Sequence, residues 1–386
     1  ESFWSELWDR FGIVGERGNT ILADKERVKE AVFFPEATLN FAENLLRRND
    51  DSDAIVFRLE SQRTERLSWV GLQSKVAKLS QWLRSVGVQP GDRVAGYIAN
   101  CPDAIVAMLA TATVGGIWTS TSPDFGGDSV VERFSQTEPK VLFAVDGYWY
   151  NGKPQPLAGK VAEVMERLPS VKQLVCIPLL KDQDSPASFG TALPEILAGQ
   201  SEQPITFTPR NFNDPLYILY SSGTTGQPKC IVHSVGGTLL QHLKEQRLHS
   251  DIRAGDRVFY FTTCGWMMWN WLASALASEA TLLLYDGSPF YAGTNEQGQE
   301  VPGWQALWQF AESENCSLFG TSAKYLDAMA KAGARPCDFY ELESLRTLCS
   351  TGSVLAPESF DYVYNAIKTD ICLASISGGT DIISCF

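Results

Sequence analysis

Apolar positions recur along the chain in two alternating patterns, a helical period and short continuous runs. Between Ser68 and Gly87 the pattern is helical, with a serine before the segment and a glycine after it, as is typical of a helix N-cap and a helix end. The apolar positions of this helix are Leu72, Val76, Leu79 and Leu83. A Pro-Gly turn then predicts a strand at 93–98 and a buried helix at about 103–114.

The same alternation continues towards residue 178. Helical periodicity near 130–136 and 161–168 is interleaved with short apolar runs at 140–145 and 173–178, and a further run at 55–57 predicts another strand. Strands that alternate with helices are typical of a parallel sheet covered by helices. The sequence therefore predicts an α/β fold with a doubly wound sheet.

An internal repeat divides this pattern into two. The tetrapeptide GDRV at 91–94 recurs at 255–258, and each copy follows an amphipathic helix and precedes a strand, a buried helix and a strand. The matching context predicts two similar α/β subdomains side by side, with the polar stretch 181–213 as linker. The predicted division is an N-terminal extension packed on the body at 1–50, a first subdomain at 51–200 and a second at 201–386.

Two uncharged stretches raise the question of a membrane span. Residues 104–123 and 258–278 are about 20 and 21 residues long, which is enough to cross a bilayer. The first contains six serines and threonines, and the second is broken at Cys264 and Gly265. We interpret each as a strand or turn plus a buried helix; a membrane protein, which would need detergent for solubility, is the alternative.

Composition and charge restrict the class of ligand. The chain of 386 residues can form two or three domains with a sizeable core. Its net charge of −13 argues against nucleic-acid binding, which usually needs a basic face, but not against small anions held by backbone amides. Nine cysteines without a CxxC pair are typical of buried thiols in a reducing compartment, so we predict a cytosolic protein without a zinc site.

The segment 217–229, with the sequence YILYSSGTTGQPK, is the strongest candidate for a ligand-binding loop. A buried strand is predicted at 216–220, directly before the loop. Glycines let the backbone approach a ligand closely, hydroxyl and N–H groups can surround a phosphate, and Lys229 adds positive charge. The spacing is not that of a Walker A loop. A Ser/Thr/Gly-rich surface loop is the alternative, but the preceding strand and the Pro-Lys pair favour a phosphate site.

Four more loops follow in the second half, at 262–271, 320–324, 350–357 and 375–381. Ligands of doubly wound folds bind beyond the carboxyl ends of the strands. Several such loops from one subdomain therefore predict a nucleotide cleft.

Asp381 is a candidate Mg²⁺ ligand, because it directly follows a Gly-Gly-Thr sequence. A Gly/Ser/Thr loop, one lysine and one metal-binding carboxylate would suffice for attack on a nucleoside triphosphate, since such catalysis is mainly positioning and charge stabilisation. A helix N-cap or turn aspartate is the open alternative. His233, His242 and His249 form no Ser-His-Asp arrangement, and we interpret them as structural.

Together these segments resemble the AMP-forming adenylating enzymes, the superfamily of acyl-CoA synthetases, luciferases and peptide synthetases. Residues 220–229 are similar to the signature loop of this superfamily, and the later Gly-rich loops follow in the expected order. The resemblance extends from about Ser2 to Phe386. Within the superfamily, it is closest to the ligases that activate acetoacetate. The strings that carry it are SPDFGG, RFSQTEPKVLF, SSGTTGQPKCIVHSVGGTLLQHLKE, CGWMMWNW, LLYDGSP, CSTGS and SISGGTDIISCF.

The resemblance implies a two-step reaction with ATP, Mg²⁺ and coenzyme A. The carboxylate of acetoacetate attacks the α-phosphate of ATP to give acyl-AMP and pyrophosphate, and the thiol of coenzyme A then displaces AMP. It also implies a large N-terminal domain of two subdomains and a smaller C-terminal domain that supplies a catalytic lysine. We expect that smaller domain to lie beyond residue 386, and therefore little turnover from residues 1–386 alone.

Position by position, the resemblance assigns catalytic and nucleotide-binding roles. Catalytic roles fall to Lys229, Thr380 and Asp381, with Asp381 as metal ligand where most of the superfamily has a glutamate, one methylene longer. The residues expected around the ATP phosphates are Ser221, Ser222, Gly223, Thr224, Thr225, Gly226, Lys229 and Thr380. Those expected near the adenine are Gly352, Ser353, Ser375 and Ile376.

The resemblance also implies an acid pocket. Gly378 stands where acetate-specific members have a tryptophan that closes the pocket, so we expect room for a longer acid and a poor fit for acetate. The residues of the facing wall are Trp266, Met267, Met268 and Trp269. An indole N–H or Asn270 is expected to donate a hydrogen bond to the 3-keto oxygen, whereas Trp271 is interpreted as core. The alternative is that these aromatic residues are all core.

Two other functions are compatible with the sequence. One is a ligase for another short or medium acid, such as propionate or butyrate. The other is a non-catalytic nucleotide-binding scaffold. This alternative is suggested by the aspartate in place of glutamate at 381 and by the expectation that the small domain lies beyond residue 386.

Overall fold

Two seven-stranded sheets form the framework of the chain. The computed structural model describes residues 1–61, 63–180, 188–221, 226–292 and 301–386. Neighbouring strands of the first sheet run parallel except for the last pair, which is an antiparallel hairpin. In spatial order these strands are Thr191–Ala192, Gln173–Ile177, Val141–Val145, Arg93–Tyr97, Ile117–Thr121, Pro215–Ser221 and Lys229–Ser234.

The second sheet repeats the arrangement of the first. Its strands are also parallel except for the last antiparallel pair. In spatial order they are Cys372–Ser375, Thr347–Thr351, Leu318–Ser322, Arg257–Tyr260, Thr281–Asp286, Asp53–Leu59 and Thr64–Ser68. The strand of each GDRV copy occupies the fourth place, and the strands that follow it along the chain take equivalent places in both sheets. The prediction of two similar doubly wound α/β subdomains is confirmed.

Helices connect the parallel strands and cover the sheets. The first predicted helix begins at its expected cap, because the Ser68 hydroxyl accepts the backbone N–H of Gly71 at 3.1 Å. The α-helices are Ser2–Arg10, Phe41–Leu45, Trp69–Ser85, Pro102–Thr113, Gly127–Thr137, Ala158–Glu166, Leu193–Ala198, Val235–Lys244, Met267–Ala273, Gln305–Ser313, Ala323–Lys331 and Pro357–Tyr362. Short 3₁₀ or π segments lie at Glu245–His249, Ser274–Ser278, Pro336–Asp338, Val363–Ile367 and Thr380–Ile382. Minor strands lie at Gly15–Glu16, Leu22–Ala23, Val32–Phe33, Thr38–Leu39, Gly147–Tyr150, Lys153–Pro156, Arg210–Asn211, Gly378–Gly379 and Ser384–Cys385.

The edge hairpin of each sheet comes from the other half of the repeat. The hairpin 215–234 precedes the second GDRV strand, yet its strand Pro215–Ser221 lies parallel to Ile117–Thr121 in the first sheet. The hairpin 53–68 precedes the first GDRV strand and pairs with Thr281–Asp286 in the second sheet. The sheets therefore do not divide at residue 200, since strands from after that residue complete the first sheet and strands from before it complete the second.

The stretch 181–213, predicted as a linker, contains regular structure. Thr191–Ala192 is the edge strand of the first sheet and pairs with Gln173–Ile177, and Leu193–Ala198 is a helix that buries Leu193 and Ile196. These two apolar side chains hold an otherwise polar segment against the body. Residues 181–187 lie outside the described residues.

Both uncharged stretches divide into short elements, as predicted. Residues 104–123 form most of the helix Pro102–Thr113 and the strand Ile117–Thr121. Residues 258–278 form a strand, the helix Met267–Ala273 and a 3₁₀ segment. Across the described parts of the chain, no helix combines the length and the apolar character needed to cross a membrane.

The N-terminal residues and most of the cysteines belong to the core. Leu7, Trp8 and Phe11 are buried in the main apolar cluster, so the N-terminal segment packs on the body. All nine cysteines are among the described residues and none forms a disulfide. Most are buried, as predicted, but Cys337 and Cys372 are exposed.

The two GDRV copies form the same turn. Gly91 and Gly255 have φ values of +87° and +85°, and a Cβ built at either position would meet no atom within 4 Å. The side chains of Asp92 and Asp256 each accept the backbone N–H of the residue three positions earlier, at 2.7 and 2.8 Å. The repeat is therefore a repeat of backbone conformation as well as of sequence.

The carboxyl ends of the two sheets meet at a polar junction. The side-chain amide of Asn100 donates to the Thr262 carbonyl at 3.5 Å, and its oxygen accepts the indole N–H of Trp269 at 3.1 Å. The Ser120 hydroxyl donates to the Cys264 carbonyl at 2.6 Å. These hydrogen bonds fix the loops of one sheet relative to those of the other.

A buried carboxyl oxygen lies at this junction. Asp286 accepts the backbone N–H of Asn100 through Oδ1 at 3.4 Å, while Oδ2 is closed off from solvent and has no hydrogen-bond partner among the described residues. Burial raises the pKa of Asp286 to about 7, and the nearby carboxylates of Glu60 and Asp124 act in the same direction. Asp286 is therefore more basic in the folded chain than in the unfolded one.

We predict that Gly255→Ala destabilises the fold through backbone strain alone. Alanine disfavours the left-handed region, so the free energy of unfolding measured in urea should fall by about 1–2 kcal/mol. Gly159→Ala is the matched control, since it has equally open surroundings but lies in the helix Ala158–Glu166. That substitution should stabilise by up to about 1 kcal/mol. Equal effects of the two substitutions would contradict the assigned turn.

We predict that Asp286 makes stability depend on pH. Its folded pKa lies above its unfolded value, so the folded state holds the proton longer and the free energy of unfolding falls between about pH 4 and 7. Asp286→Asn should change little near pH 4 and stabilise by roughly 4 kcal/mol near pH 8. Urea unfolding at both pH values measures the difference, with the exposed Asp361→Asn as control. A parallel shift at both pH values would show that the carboxyl is not buried.

Candidate functional site

The predicted phosphate loop closes the edge hairpin of the first sheet. Ser221 pairs with Lys229, so the loop leaves and re-enters the hairpin at one point, and the Lys229 side chain is exposed there. Gly226 has a φ of +151°, and a Cβ built on it would meet no atom within 4 Å, so its backbone is open to close approach. Ser222, Gly223, Thr224 and Thr225 lie outside the described residues.

The residues predicted to lie near the adenine end neighbouring strands of the second sheet. Ser375 pairs with Ser350, and the backbone N–H of Ile376 donates to the Ser350 carbonyl at 2.8 Å. Gly352 has a φ of +93° with open space around its Cβ position, and Ser353 is exposed. The four residues therefore lie at the carboxyl ends of two adjacent strands.

Residues 377–386 form a small antiparallel hairpin. Gly378 pairs with Cys385 and Gly379 with Ser384, and the turn between them is Thr380–Ile382. The Asp381 side chain is exposed at this turn.

The structure brings this turn to the hairpin that carries the phosphate loop. The turn Thr380–Ile382 lies beside the strand Pro215–Ser221, and Nε2 of His233 lies 2.7 Å from the Thr380 carbonyl oxygen. The sequence suggested that the five predicted loops come from one subdomain, but they do not come from one sheet. The loop 220–229 belongs to the first sheet and the other four to the second, because the edge hairpins are exchanged. The candidate site therefore draws its residues from both sheets, and the region where these loops meet is called the cleft below.

The two segments predicted to form the acid pocket contact one another. The Sδ atom of Met268 lies 3.7 Å from the Sγ atom of Cys385, next to Gly378 in the hairpin. Trp266 is 63% exposed, whereas Met267 and Met268 are buried. A Cβ built on Gly378 would meet the Ser384 carbonyl and lie 2.6 Å from the Cys385 Cα. The hairpin therefore requires glycine at 378 for its own close pairing, independently of any pocket.

The indole N–H groups of the segment 266–271 have different environments. That of Trp269 donates to Asn100, and that of Trp271 donates to the buried Glu245 carboxylate at 2.9 Å. Trp271 is core, as predicted, and Asn270 is fully buried. Trp266 is therefore the indole of this segment that faces solvent.

Two histidines interpreted as structural contact the 377–386 hairpin. Besides the contact of His233, Nε2 of His242 lies 2.7 Å from the Ile383 carbonyl oxygen. Burial lowers the pKa of His242 to about 4 and also lowers the pKa of His233. Both lie in the string that follows the phosphate loop, but neither residue's partner is near it in sequence, so local pattern could not reveal the contact.

A cavity of about 420 Å³ lies behind the turn. It is lined by His233, Thr238, Gln241, Ile383, Ser384 and Phe386, among others, and not by Gly378 or by the wall residues Trp266–Trp269.

The chain belongs to the AMP-binding enzyme family, whose sequence profile matches residues 41–374. Within that family it is 51% identical over 388 residues to an acetoacetyl-coenzyme A synthetase of Rhizobium meliloti, covering 100% of this chain and 58% of that relative. A malonamoyl-CoA synthetase of Penicillium aethiopicum is 41% identical over 404 residues, covering all of this chain and 56% of the relative.

The fold is also similar to that of a solved structure. An acetoacetyl-CoA synthetase from Streptomyces lividans superposes with a TM-score of 0.90 at 42% identity, covering 100% of this chain and 58% of that one. The chain thus spans somewhat more than half the length of the relatives it matches.

Proposed function

We propose that the cleft activates acetoacetate with ATP, as part of an AMP-forming acid–CoA ligase. The observation that carries the proposal is the contact between the His233 side chain and the Thr380 carbonyl, which joins the hairpin of the phosphate loop to the turn that bears Asp381. The family match and the names of the similar proteins support the same reaction class.

The reaction has two displacement steps. An oxygen of the acid carboxylate forms a bond to the α-phosphorus of ATP, and the bond from that phosphorus to the bridging oxygen breaks to release pyrophosphate. The sulfur of coenzyme A then bonds to the acyl carbon, AMP leaves with the electrons of the acyl–oxygen bond, and the thiol proton passes to solvent. The chain contributes mainly position and charge to such phosphoryl chemistry.

The described residues fit the phosphates and a magnesium ion. Gly226 and Gly352 expose backbone to close approach, and Lys229 places a cation at the hairpin end. Asp381 and the Thr380 hydroxyl offer the hard oxygen donors that Mg²⁺ prefers. When bound there, Mg²⁺ would neutralise charge on the phosphate oxygens.

The acid we propose carries a carbonyl at its third carbon. Acetoacetate and malonamate, the acids in the names of the two similar synthetases, share that carbonyl and differ in a terminal methyl or amino group. Within 266–271, the indole N–H groups of Trp269 and Trp271 already donate to protein oxygens. We therefore assign recognition of the carbonyl to the exposed Trp266. Malonamate is the second candidate substrate, and butyrate lacks the recognised group.

Asp381→Asn is expected to lower acid-dependent pyrophosphate release by about 100-fold, because an amide replaces the charged metal ligand. The measurement uses the complete gene product with ATP, Mg²⁺, coenzyme A and acetoacetate. Asp361→Asn, on the exposed side of the helix Pro357–Tyr362, is the control and should retain activity. No pyrophosphate release by the wild-type protein with any of the acids would contradict the proposed function.

Trp266→Phe is expected to lower kcat/KM for acetoacetate by about tenfold and to leave kcat/KM for butyrate nearly unchanged. Phenylalanine keeps an aromatic ring and removes the N–H donor, at the usual cost of one hydrogen bond. Trp304→Phe is the matched control, since Trp304 packs against Phe339 outside the proposed pocket. Equal losses for both acids would mean that Trp266 shapes the pocket without recognising the carbonyl.

A further inference from the structure

We propose that His233 and His242 are positioning residues that hold the turn bearing Thr380 and Asp381 against the hairpin of the phosphate loop. The inference rests on the proposed function for its catalytic consequence. Its structural part concerns two imidazole-to-carbonyl hydrogen bonds that can be measured without substrate.

The contacts of His242 define its protonation. A carbonyl oxygen only accepts, so the Nε2 atom 2.7 Å from the Ile383 oxygen must carry a proton. Nδ1 lies 2.7 Å from the Ser274 hydroxyl in a fully buried setting. Because burial disfavours an imidazolium there, Nδ1 keeps its lone pair and faces the Ser274 hydroxyl, whose one hydrogen has two acceptors, Nδ1 and the Asn270 carbonyl at 3.0 Å. His242 is thus a neutral imidazole with the proton on Nε2.

His233 makes the equivalent contact at the other end of the turn. Its Nε2 atom lies 2.7 Å from the Thr380 carbonyl oxygen. The two imidazoles therefore hold the carbonyls of Thr380 and Ile383, which flank Asp381. Because both acceptors are backbone atoms, these hydrogen bonds set the path of the main chain rather than the rotamer of one side chain.

The turn needs such support because its backbone is strained. Ile383 has a φ of 48° and a ψ of 39°, a left-handed conformation that is unfavourable for a β-branched residue. Strain of this kind persists only where surrounding contacts determine the conformation. The hydrogen bond from His242 to the Ile383 carbonyl is one of those contacts.

A buried carboxylate holds the returning strand of the same hairpin. Glu245 accepts from the Ser384 hydroxyl and, at 3.3 Å, from the backbone N–H of Cys385. Gln241 donates to Glu245 at 2.8 Å and to the Ser384 hydroxyl at 2.5 Å.

All four supporting side chains lie on one continuous unit, the strand Lys229–Ser234 and the helical segment that follows it to residue 249. That unit begins at Lys229, at the end of the phosphate loop. A displacement of the hairpin 215–234 would therefore move both the phosphate loop and the turn Thr380–Ile382. The geometry couples the phosphate loop to the predicted metal ligand through His233 and His242.

His233 offers the sharper test because it lines the cavity next to the turn and is 9% exposed, whereas His242 is fully buried. His233→Leu removes the donor and should lower kcat for acid-dependent pyrophosphate release by about tenfold while raising the Mg²⁺ concentration at half-saturation. His233→Gln retains an N–H donor and should recover most of both losses. His249→Leu, at an exposed position after the same helix, is the control.

A double-mutant cycle with Asp381 separates positioning from general destabilisation. If His233 acts through Asp381, combining His233→Leu with Asp381→Asn should lower kcat little beyond Asp381→Asn alone. The inference would be overturned if the fold-losses in kcat of His233→Leu and Asp381→Asn multiplied in the double variant. Equal losses of kcat in His233→Leu and His233→Gln would also overturn it.

Imidazole nitrogen NMR of the wild-type protein tests both contacts without relying on turnover. The chain has three histidines, and His249 serves as the exposed reference. We expect His242 to remain neutral with the proton on Nε2 at neutral pH, and Nε2 of His233 to be protonated. A dominant Nδ1–H tautomer at either residue would overturn the inference. Absence of acid-dependent pyrophosphate release would instead refute the proposed function, and the tautomers would still decide whether the histidines hold the turn.

Discussion

Exchange of the two edge hairpins is the constraint on which the cleft depends. The hairpin 53–68 completes the second sheet and the hairpin 215–234 completes the first, so each half of the repeat supplies the edge of the other. Buried strand pairing of this kind is strongly specified, because a shift by one residue would turn the apolar faces outward. The exchange places the ends of the predicted phosphate loop on the first sheet, while the segment that follows the loop leads into the second. The cleft is consequently built from both sheets, and neither half of the chain could form it alone.

Polar contacts at the junction are specific because they are buried. Asn100, Glu245 and His242 each satisfy partners from segments far apart in sequence, and a buried polar group without its partner would be costly. Such groups contribute little to net stability, but they favour one relative placement of the segments that they join. The described segments that carry these groups are therefore held in one geometry by contacts within the protein, and such preorganisation is what the proposed phosphoryl chemistry requires.

The pairing of Gly378 refines the account of acid selection. The residue type agrees with an open acyl pocket, but the close approach of Ser384 and Cys385 is by itself a sufficient reason for glycine. A tryptophan could occupy this position only if the hairpin separated. Specificity for a longer acid would then belong to the path of the 377–386 hairpin as a whole, including the contact of Cys385 with Met268, and not to the absence of one side chain.

Much of the architecture was determined by the sequence alone. Helix and strand periods, the cap at Ser68 and the repeated GDRV turn are local signals, because they depend on neighbours within a few residues. Strand partners are not local, because nothing within 191–198 or within the hairpin 215–234 shows which sheet the segment joins. The pattern along the chain therefore could not assign either segment to its sheet. The same holds for the cleft. The sequence marked Lys229, Thr380 and Asp381 as candidates through their loops, whereas the contacts of His233 and His242 with carbonyls about 140 residues away depend on tertiary packing. Carbonyl acceptors leave no trace in residue type, and only the folded chain decides which imidazole reaches them.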